Sequence, residues 1–319
     1  MNRLVAALAS ALAVGLSSPW VFACPCQGSS GPAGAVTSTA DRFGVSLTET
    51  GRNTEGAWGP SGRYARLAPG ERYWSLDVTG VVGYRPIPVV EIEAETAFGH
   101  QSASSPDFAS AHTGVGDSIF RFRWDALDEP MPYVRSVLPW PAVSLVASIR
   151  APTASLGRDS SGVFSGTSGS VGSAASSEGL GAWETSLALG LTRSISPKFL
   201  VSLAGEAAYR FPDSSLGLPR HLAPRLFVQA GGRYAPTPDI GVGVLTDLTG
   251  EGDVSYDNGP PLRATSERLW AVGLYGYFRV RDTGFRCGTM FRFEPPLDDI
   301  SRNATRATSL SVSLGYALQ

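Results

Sequence analysis

The feature that most constrains the fold is an alternation of apolar and polar residues that recurs from residue 41 onward, with a turn after each stretch. At 198–211, for example, Phe199, Val201 and Leu203 alternate with residues such as Ser202. Because successive side chains of a strand point to opposite faces, each stretch predicts a strand with one apolar face. The stretches lie at 43–48, 74–84, 90–98, 119–124, 142–150, 182–193, 198–211, 224–234, 239–247, 268–281, 284–293 and 308–318.

The connections between these strands alternate between short and long. Short connections rich in turn residues lie at 85–88, 194–197, 235–238 and 281–284. Long polar connections lie at 50–71, 100–113, 151–181, 212–223, 248–266 and 294–307, and 126–141 is long where a short one is expected. Outer-membrane barrels have this asymmetry, with short turns in the periplasm and longer loops outside the cell.

The first 23 residues have the features of a signal peptide, with Arg3, an apolar stretch at 4–16 and a small-residue cleavage site ending at Ala23. Cleavage leaves Cys24 as the first mature residue, and residues 24–40 are expected to be a periplasmic segment. Lipidation of Cys24 is the alternative to plain secretion. Cys24 and Cys26 are also weak candidates for a copper site, against the simpler interpretation of a tether or redox-labile tail. We otherwise predict no metal and no cofactor.

The composition narrows the choice of fold. Only 17% of residues are charged and the net charge is −2, which argues against a disordered chain, a coiled coil or a nucleic-acid-binding protein. Beyond the N-terminus, no apolar run reaches the ~20 residues that a membrane-spanning helix needs. A soluble β-sandwich or lipocalin-like barrel would point its apolar faces inward. Twelve alternating strands after an export signal favour the membrane barrel instead.

Aromatic residues near the predicted strand ends support this choice, because membrane barrels place aromatic rings at both water boundaries. These residues are Trp74, Tyr84, Phe98, Trp124, Trp183, Phe199, Phe211, Tyr234, Trp270, Phe291 and Phe293. We therefore predict an all-β fold for 41–319, a closed antiparallel transmembrane barrel of about 12 strands.

Charged residues fall on the predicted inward faces, where any function of such a barrel would lie. Glu91, Glu93 and Glu95 line the third strand, and Arg121 and Arg123 line the fourth. The same lining includes Glu206, Arg210, Arg225, Arg233, Arg279, Arg281, Arg286 and Arg292. Opposite charges across a lumen create a transverse field that filters solutes by size and charge. The alternative is that these charges pair and fill a narrow interior.

The sequence shows no convincing catalytic constellation, and we predict no enzyme. His100-Gln101-Ser102 resembles the His-x-Ser spacing of twelve-stranded outer-membrane phospholipases. No asparagine follows at the distance where an orienting amide belongs, and the site lies at a loop boundary. A chance match explains this spacing better than a catalytic pair.

Three motifs in order resemble one family. Residues 113–118 contain Gly114, Gly116 and Asp117 before an alternating strand, like that family's Gly-x-Gly-Asp strand start. Ala151-Pro152-Thr153 is similar to its Pro-Thr-Gly strand end, with Ala154 in place of glycine, and 179–184 resembles its Gly-x-Gly-x-Trp/Tyr-Asp strand opening. The family is the outer-membrane channels named for the meta-pathway of phenol degradation. The resemblance covers 41–319 and is most specific at 112–210.

This resemblance implies a barrel that admits small, often hydrophobic, molecules. We expect passive passage of small solutes through the outer membrane of a Gram-negative bacterium. The expected partners are outer-membrane lipid, a small-molecule solute and the barrel-insertion machinery, with no nucleic acid. The alternatives are a non-conducting surface or scaffold protein, with or without a lipid on Cys24, and a barrel that handles copper through Cys24 and Cys26.

Overall fold

The computed structural model describes residues 42–106, 108–127, 141–154, 182–196, 198–215, 218–237, 239–256, 259–261, 266–280 and 283–318. The predicted signal peptide at 1–23, the predicted periplasmic segment at 24–40 with Cys24 and Cys26, and Arg281 lie outside them. Twelve antiparallel strands form the barrel wall: β1 (Phe43–Trp58), β2 (Arg72–Ile87), β3 (Val90–Ser105), β4 (Ser118–Leu127), β5 (Ala142–Ala151), β6 (Glu184–Ser196), β7 (Phe199–Arg210), β8 (Arg225–Thr237), β9 (Ile240–Glu251), β10 (Glu267–Arg279), β11 (Phe285–Phe293) and β12 (Thr305–Leu318).

Each strand of this wall pairs with its neighbour in the chain, and β12 pairs with β1 from Phe43↔Leu318 to Ala57↔Thr305. The sheet therefore closes on itself, which leaves no unpaired strand edge in the wall. This confirms the predicted twelve-stranded barrel. Within the described residues, no helix is long and apolar enough to cross a membrane.

The large apolar side chains point outward, as the alternation predicts. On β7, Phe199 and Leu203 are 41% and 48% exposed, whereas Ala204 and Arg210 are 6% and 3% exposed. On β2, the outward residues from Trp74 to Tyr84 span ten residue steps, ~33 Å along the strand and ~25 Å across the membrane at a ~40° tilt. This height matches the apolar band of an outer-membrane barrel.

Three of the connections at the periplasmic end are two residues long: those between β2 and β3, between β6 and β7, and between β8 and β9. The first begins with Pro88, and proline fixes φ near the value that the first central residue of a type I turn requires. The strand before each connection contains a register shift, for example between Tyr84 and Ile87. The link between β10 and β11 instead contains Gly284, whose φ is 75° and whose Cβ would lie 2.3 Å from the Ala317 carbonyl oxygen.

At the other end of the barrel, strands continue into segments that the sequence predicts as loops. β1 runs to Trp58, and β3 runs to Ser105, where it pairs with the segment Phe108–Val115. The predicted loops at 50–71 and 100–113 are therefore wrong in part. No lipid covers the outer face of these extensions, so the apolar–polar alternation that reveals a strand in lipid is absent there.

Two other predicted loops also contain strands. Asp213–Ser215, Leu218–His221 and Ser255–Tyr256 form a small antiparallel sheet within 212–223 and 248–266. Arg220 forms an ion pair with Asp213 inside it. The central parts of the predicted connections at 126–141 and 151–181 lie outside the described residues.

The 294–304 loop packs on a small apolar core at the extracellular end. Trp58, Leu269 and Ala304 are buried together, and Tyr64 packs against them. The Trp58 indole nitrogen donates to the Leu297 carbonyl oxygen at 3.0 Å, and the Trp58 backbone nitrogen donates to the Ala304 carbonyl oxygen at 2.9 Å. The loop is therefore held to β1 and β10 by packing and by hydrogen bonds.

We expect the substitution Trp58→Ala to release this loop. Truncating a buried tryptophan lowers the free energy of unfolding by about 3 kcal/mol. Here the contacts that are lost are those between Trp58 and the 294–304 loop. Limited proteolysis of whole cells should then cut the loop much faster than in the native protein. The control is Trp74→Ala, since Trp74 points outward on β2. Equal cleavage of the two variants would contradict the packing role of Trp58.

Candidate functional site

The inner wall of the barrel is lined by charged side chains that are largely shielded from solvent. Of the residues that the sequence assigns to the lumen, ten lie on β3, β4, β7, β8 and β10, and Glu91 and Glu93 are the least exposed acids among them. Arg286 and Arg292 lie on β11. Direct pairing places Glu91 opposite Arg123 and Glu93 opposite Arg121. Those placed on the inner wall are Glu91, Glu93, Glu95, Arg121, Arg123, Glu206, Arg210, Arg225, Arg233 and Arg279.

The first cluster of this lining lies on β2–β4 toward the periplasmic end. Arg85 binds Glu91 at 2.7 Å and Asp125 at 2.9 Å, and Arg123 also binds Asp125 at 2.7 Å. Arg121 lies 2.7 Å from Glu95 and 3.8 Å from Glu93. We call Glu91, Glu93, Glu95 and Asp125, with the arginines Arg85, Arg121 and Arg123, the acidic wall.

A second cluster lies on β5–β9 toward the extracellular end, with Glu184 at its centre. The Glu184 carboxylate lies 2.9 Å from both Arg210 and Arg225 and 3.8 Å from Arg150. Arg225 also binds Glu206 at 2.9 Å, and Arg210 donates both terminal nitrogens to Glu251 at 2.6 Å. Glu184 therefore contacts three guanidinium groups, and two of them, Arg210 and Arg225, also bind a second carboxylate.

A third cluster continues this lining around the extracellular end. Arg292 on β11 binds Asp247 at 2.8 Å and Glu294 at 3.0 Å, and Arg52 on β1 lies 3.6 Å from Glu294. The Glu294 carboxylate also accepts the Ala307 backbone N–H at 2.5 Å. The charged lining therefore joins β9, β11, β12 and β1.

Several of these ion pairs skip one strand. Arg85 and Asp125 lie on β2 and β4, Arg225 and Glu184 lie on β8 and β6, and Arg292 and Asp247 lie on β11 and β9. Neighbouring strands are ~4.8 Å apart, so second neighbours are close to 10 Å apart along the wall. Curvature brings inward side chains closer together, and long arginines span the remaining distance.

A basic wall stands on β8, β10 and β11 toward the periplasmic end. We give this name to Arg233, Arg279 and Arg286, together with Asp239 just before β9. Arg279 and Arg286 are directly paired across β10 and β11. In the strand order, β3 and β9 are six strands apart in a ring of twelve, so the acidic and basic walls face each other across the lumen.

Two tyrosines of β10 lie flat against glycines of β9 on this side. A Cβ on Gly241 would lie 2.2 Å from a Tyr277 ring carbon, and a Cβ on Gly243 would lie 2.4 Å from one of Tyr275. The Arg233 guanidinium stands 5.6 Å from the centre of the Tyr277 ring, which is the distance of a cation–π contact. Alternation does not reveal this feature, because the glycines break the apolar pattern.

Hydrogen bonds from the Gly114, Gly116 and Asp117 motif connect the start of β4 to the end of β5. Asp117 accepts the Ala154 backbone N–H at 3.1 Å, and the Thr153 hydroxyl donates to the Gly116 carbonyl oxygen at 3.1 Å. Gly114 pairs with Gly99 in the segment that precedes β4. The chain is therefore already paired with β3 through Phe108–Val115 before it reaches the motif. The motif separates that paired segment from β4, which begins at Ser118.

His100 lies on the outer side of β3, away from the charged lining. Its Nδ1 lies 2.7 Å from the Thr113 hydroxyl, and its ring packs on Trp74 with centroids 5.1 Å apart. Among the described residues, no group of three or more His, Cys, Asp or Glu side chains could hold a metal ion. The candidate site is the charged lumen, and His100 lies outside it.

No family model and no curated protein sequence matches the chain. The crystal structure of an outer-membrane channel from Pseudomonas putida F1 is similar to it, with a TM-score of 0.65 and 14% identity over 87% of this chain and 96% of that one. The chain has the fold of an outer-membrane β-barrel.

Two further barrels align less well with this outer-membrane β-barrel. The translocator domain of the autotransporter NalP from Neisseria meningitidis has a TM-score of 0.43 and 12% identity, over 87% of this chain and 88% of that one. The KdgM porin has a TM-score of 0.46 and 8% identity, over 86% and 99%. The fold assignment rests on the first alignment and on the outward apolar belt, which is the lipid-facing surface of a membrane-spanning barrel.

Proposed function

We propose that this outer-membrane β-barrel is a passive channel for small solutes, apolar ones included. The observation that carries the proposal is the pair of opposed walls in the periplasmic half of the lumen. Four carboxylates outnumber three guanidinium groups on the acidic wall, and three guanidinium groups outnumber one carboxylate on the basic wall. The similar structure from Pseudomonas putida F1 is itself described as an outer-membrane channel.

Opposed walls of unlike charge give the lumen a transverse electric field. A dipolar solute aligns with such a field, and an ion is drawn to one side of the passage. We assign Glu91, Glu93, Glu95, Arg121 and Arg123 to the acidic side of this filter. Arg233 and Arg279 belong to the basic side, while Glu206, Arg210 and Arg225 hold the extracellular end of the wall together.

We also propose membership in the channel family named for the meta-pathway of phenol degradation. Two of its motifs, at 114–117 and at 151–154, lie far apart in sequence but contact each other through Asp117 and Ala154. This contact gives a physical reason for the two motifs to occur together. A profile built from sequences related to this chain should recover both motifs, and a profile lacking either one would count against membership.

Charge reversal of the basic wall tests the channel proposal. We expect the double variant Arg233→Glu with Arg279→Glu to raise the cation-over-anion permeability ratio about tenfold in planar bilayers, since the variant makes both walls acidic. The control is Arg193→Glu, because Arg193 lies exposed on the outward face of β6. Native protein that folds but gives no conductance, and no solute-dependent swelling of liposomes, would contradict a channel.

The scaffold alternative has one observation in its favour, the charged side chains buried against each other around the inner wall. Paired charges of this kind can fill a narrow barrel without conducting. The bilayer measurement on the native protein separates the two functions, because a filled barrel is silent. A signal peptide at 1–23, and lipidation or copper binding at Cys24 and Cys26, remain proposals that mass analysis of the mature N-terminus with and without copper would test.

A further inference from the structure

One acidic side chain of the inner wall lies between the second and third clusters without a counter-charge. Glu267 begins β10, and the alternation of buried and exposed residues on that strand places its side chain on the inner face, with Leu269 and Ala271. It is only 8% exposed. Among the described residues, no hydrogen-bond donor and no basic group binds the Glu267 carboxyl group. Every other carboxylate of the second and third clusters contacts at least one arginine.

The register of the sheet places a second carboxylate directly opposite Glu267. Glu251 of β9 is its partner residue on the neighbouring strand. Facing side chains of an antiparallel pair have their Cβ atoms about 5 Å apart, and like charges in these positions repel each other. Glu251 itself is neutralised by Arg210, which donates both terminal nitrogens to it. Arg210 also binds Glu184, so its single charge is already shared between two carboxylates.

The other charged neighbours do not neutralise Glu267 either. Besides Glu251 and Arg210, the charged groups that act on it are Arg52 of β1 and Glu294 after β11. Arg52 is already 3.6 Å from Glu294. Within the second and third clusters, five guanidinium groups face five carboxylates, and Glu267 is a sixth carboxyl group. One positive charge is therefore missing at this point of the inner wall.

A buried carboxyl group without a counter-charge takes up a proton or a cation, because an isolated buried carboxylate is costly. No group of three acidic, histidine or cysteine side chains among the described residues is arranged to hold a metal ion. A primary ammonium group supplies one positive charge, and its three N–H donors can bind the carboxyl oxygens of Glu267 and Glu251. We propose that Glu267 binds the ammonium group of a small organic cation that enters the channel.

The position of Glu267 suits a solute that arrives from outside the cell. Glu267 lies three residues before Trp270, the aromatic residue near the extracellular edge of the apolar belt on β10. Three residues correspond to ~8 Å of height at the tilt of such strands. An entering cation therefore meets Glu267 before it reaches the acidic wall in the periplasmic half. The proposal rests on the channel function proposed above and narrows its solutes to protonated amines.

Calorimetric titration of the folded protein in detergent with n-butylammonium tests the site without requiring conductance. We expect one site per chain, and an affinity about tenfold lower or less in Glu267→Gln, which keeps the size of the side chain and removes its charge. The control Glu71→Gln removes a carboxylate from the loop before β2 and should bind like the native protein. Equal binding to the native protein and Glu267→Gln, or no binding to the native protein, would overturn the proposal.

A second cation separates a hydrogen-bonded site from general attraction by the acidic lumen. Tetramethylammonium carries the same charge but donates no N–H, so it should bind about tenfold more weakly than n-butylammonium. Glu267→Lys places the missing positive charge in the chain itself, opposite Glu251. This variant should keep the heat-dependent migration of a folded barrel in SDS gels and should not bind n-butylammonium. Equal binding of the two cations, or binding that persists in Glu267→Lys, contradicts the site.

Single-channel recording in planar bilayers distinguishes a failure of this site from a failure of the channel function. n-Butylammonium added on the extracellular side should reduce the current through the native protein and leave the current through Glu267→Gln unchanged. A native protein that conducts but neither binds n-butylammonium nor is blocked by it contradicts the site alone. A protein that binds n-butylammonium through Glu267 but gives no conductance supports the site and contradicts the channel.

Discussion

Replacing Glu184 by alanine is expected to destabilise the barrel by about 3–5 kcal/mol. The Glu184 carboxylate is buried and lies 2.9 Å from both Arg210 and Arg225. Its removal leaves Arg210 with Glu251 and Arg225 with Glu206, and it takes from Arg150 the carboxylate that lies 3.8 Å away. Three buried guanidinium groups then share two carboxylates, and that unbalanced charge costs more than the lost contact itself. Urea-induced unfolding from phospholipid vesicles, followed by tryptophan fluorescence, measures the difference.

Two matched variants define the origin of this loss. Glu184→Gln keeps the shape and one acceptor, so it should cost clearly less than alanine. Glu71→Ala removes a carboxylate that, among the described residues, accepts only the exposed Ala68 N–H at 3.1 Å, and should cost less than about 1 kcal/mol. An alanine variant at position 184 that unfolds like the native protein would show that Glu184 does not hold the β5–β9 wall together.

The strands of the barrel could be predicted because lipid and lumen impose opposite demands on alternate residues. Phe199 and Leu203 had to face the chains of the lipid, and Glu206 and Arg210 then had to face the interior. Where the strands leave the membrane, at Gly51–Trp58 and His100–Ser105, this contrast disappears and the pattern with it. The predicted loops there are wrong for that reason, although strand pairing continues.

The partners of the inward charges could not be predicted in the same way. Alternation shows that Arg225 points inward, but its contact with Glu184 crosses from β8 to β6. Such a contact depends on the curvature of the closed wall, which no single strand encodes. Arg85 and Asp125 were missed because they lie next to turns, where an isolated charge has the same sequence context as a solvent-exposed residue.

The role of Gly241 on the inner wall is a second feature that the apolar–polar alternation could not predict. Gly241 interrupts the pattern of β9 and carries no side chain that marks it as part of the lumen. Its importance comes from the Tyr277 ring, which occupies the space where a Cβ would stand. The tyrosine lies on the neighbouring strand, so only the register of β9 and β10 brings the two together.

The same contact makes Gly241→Ala the variant with the largest expected effect on conductance. The new methyl group would lie 2.2–2.7 Å from Tyr277 ring and hydroxyl atoms, and the nearest atoms all belong to that flexible side chain. The response with the lowest energy is therefore a rotation of the Tyr277 ring away from the wall and into the lumen, with loss of its contact to Arg233. We expect single-channel conductance in planar bilayers to fall by about half or more, because a displaced ring narrows the passage.

The control for this variant lies on the same strand. Gly250 faces outward on β9, and a Cβ there would meet nothing within 4 Å, so Gly250→Ala should leave conductance unchanged. Adding Tyr277→Ser to Gly241→Ala removes the displaced ring and should restore conductance to at least the native level. If the double variant stays as low as the single one, the loss comes from the backbone of β9, and the ring does not set the width of the passage.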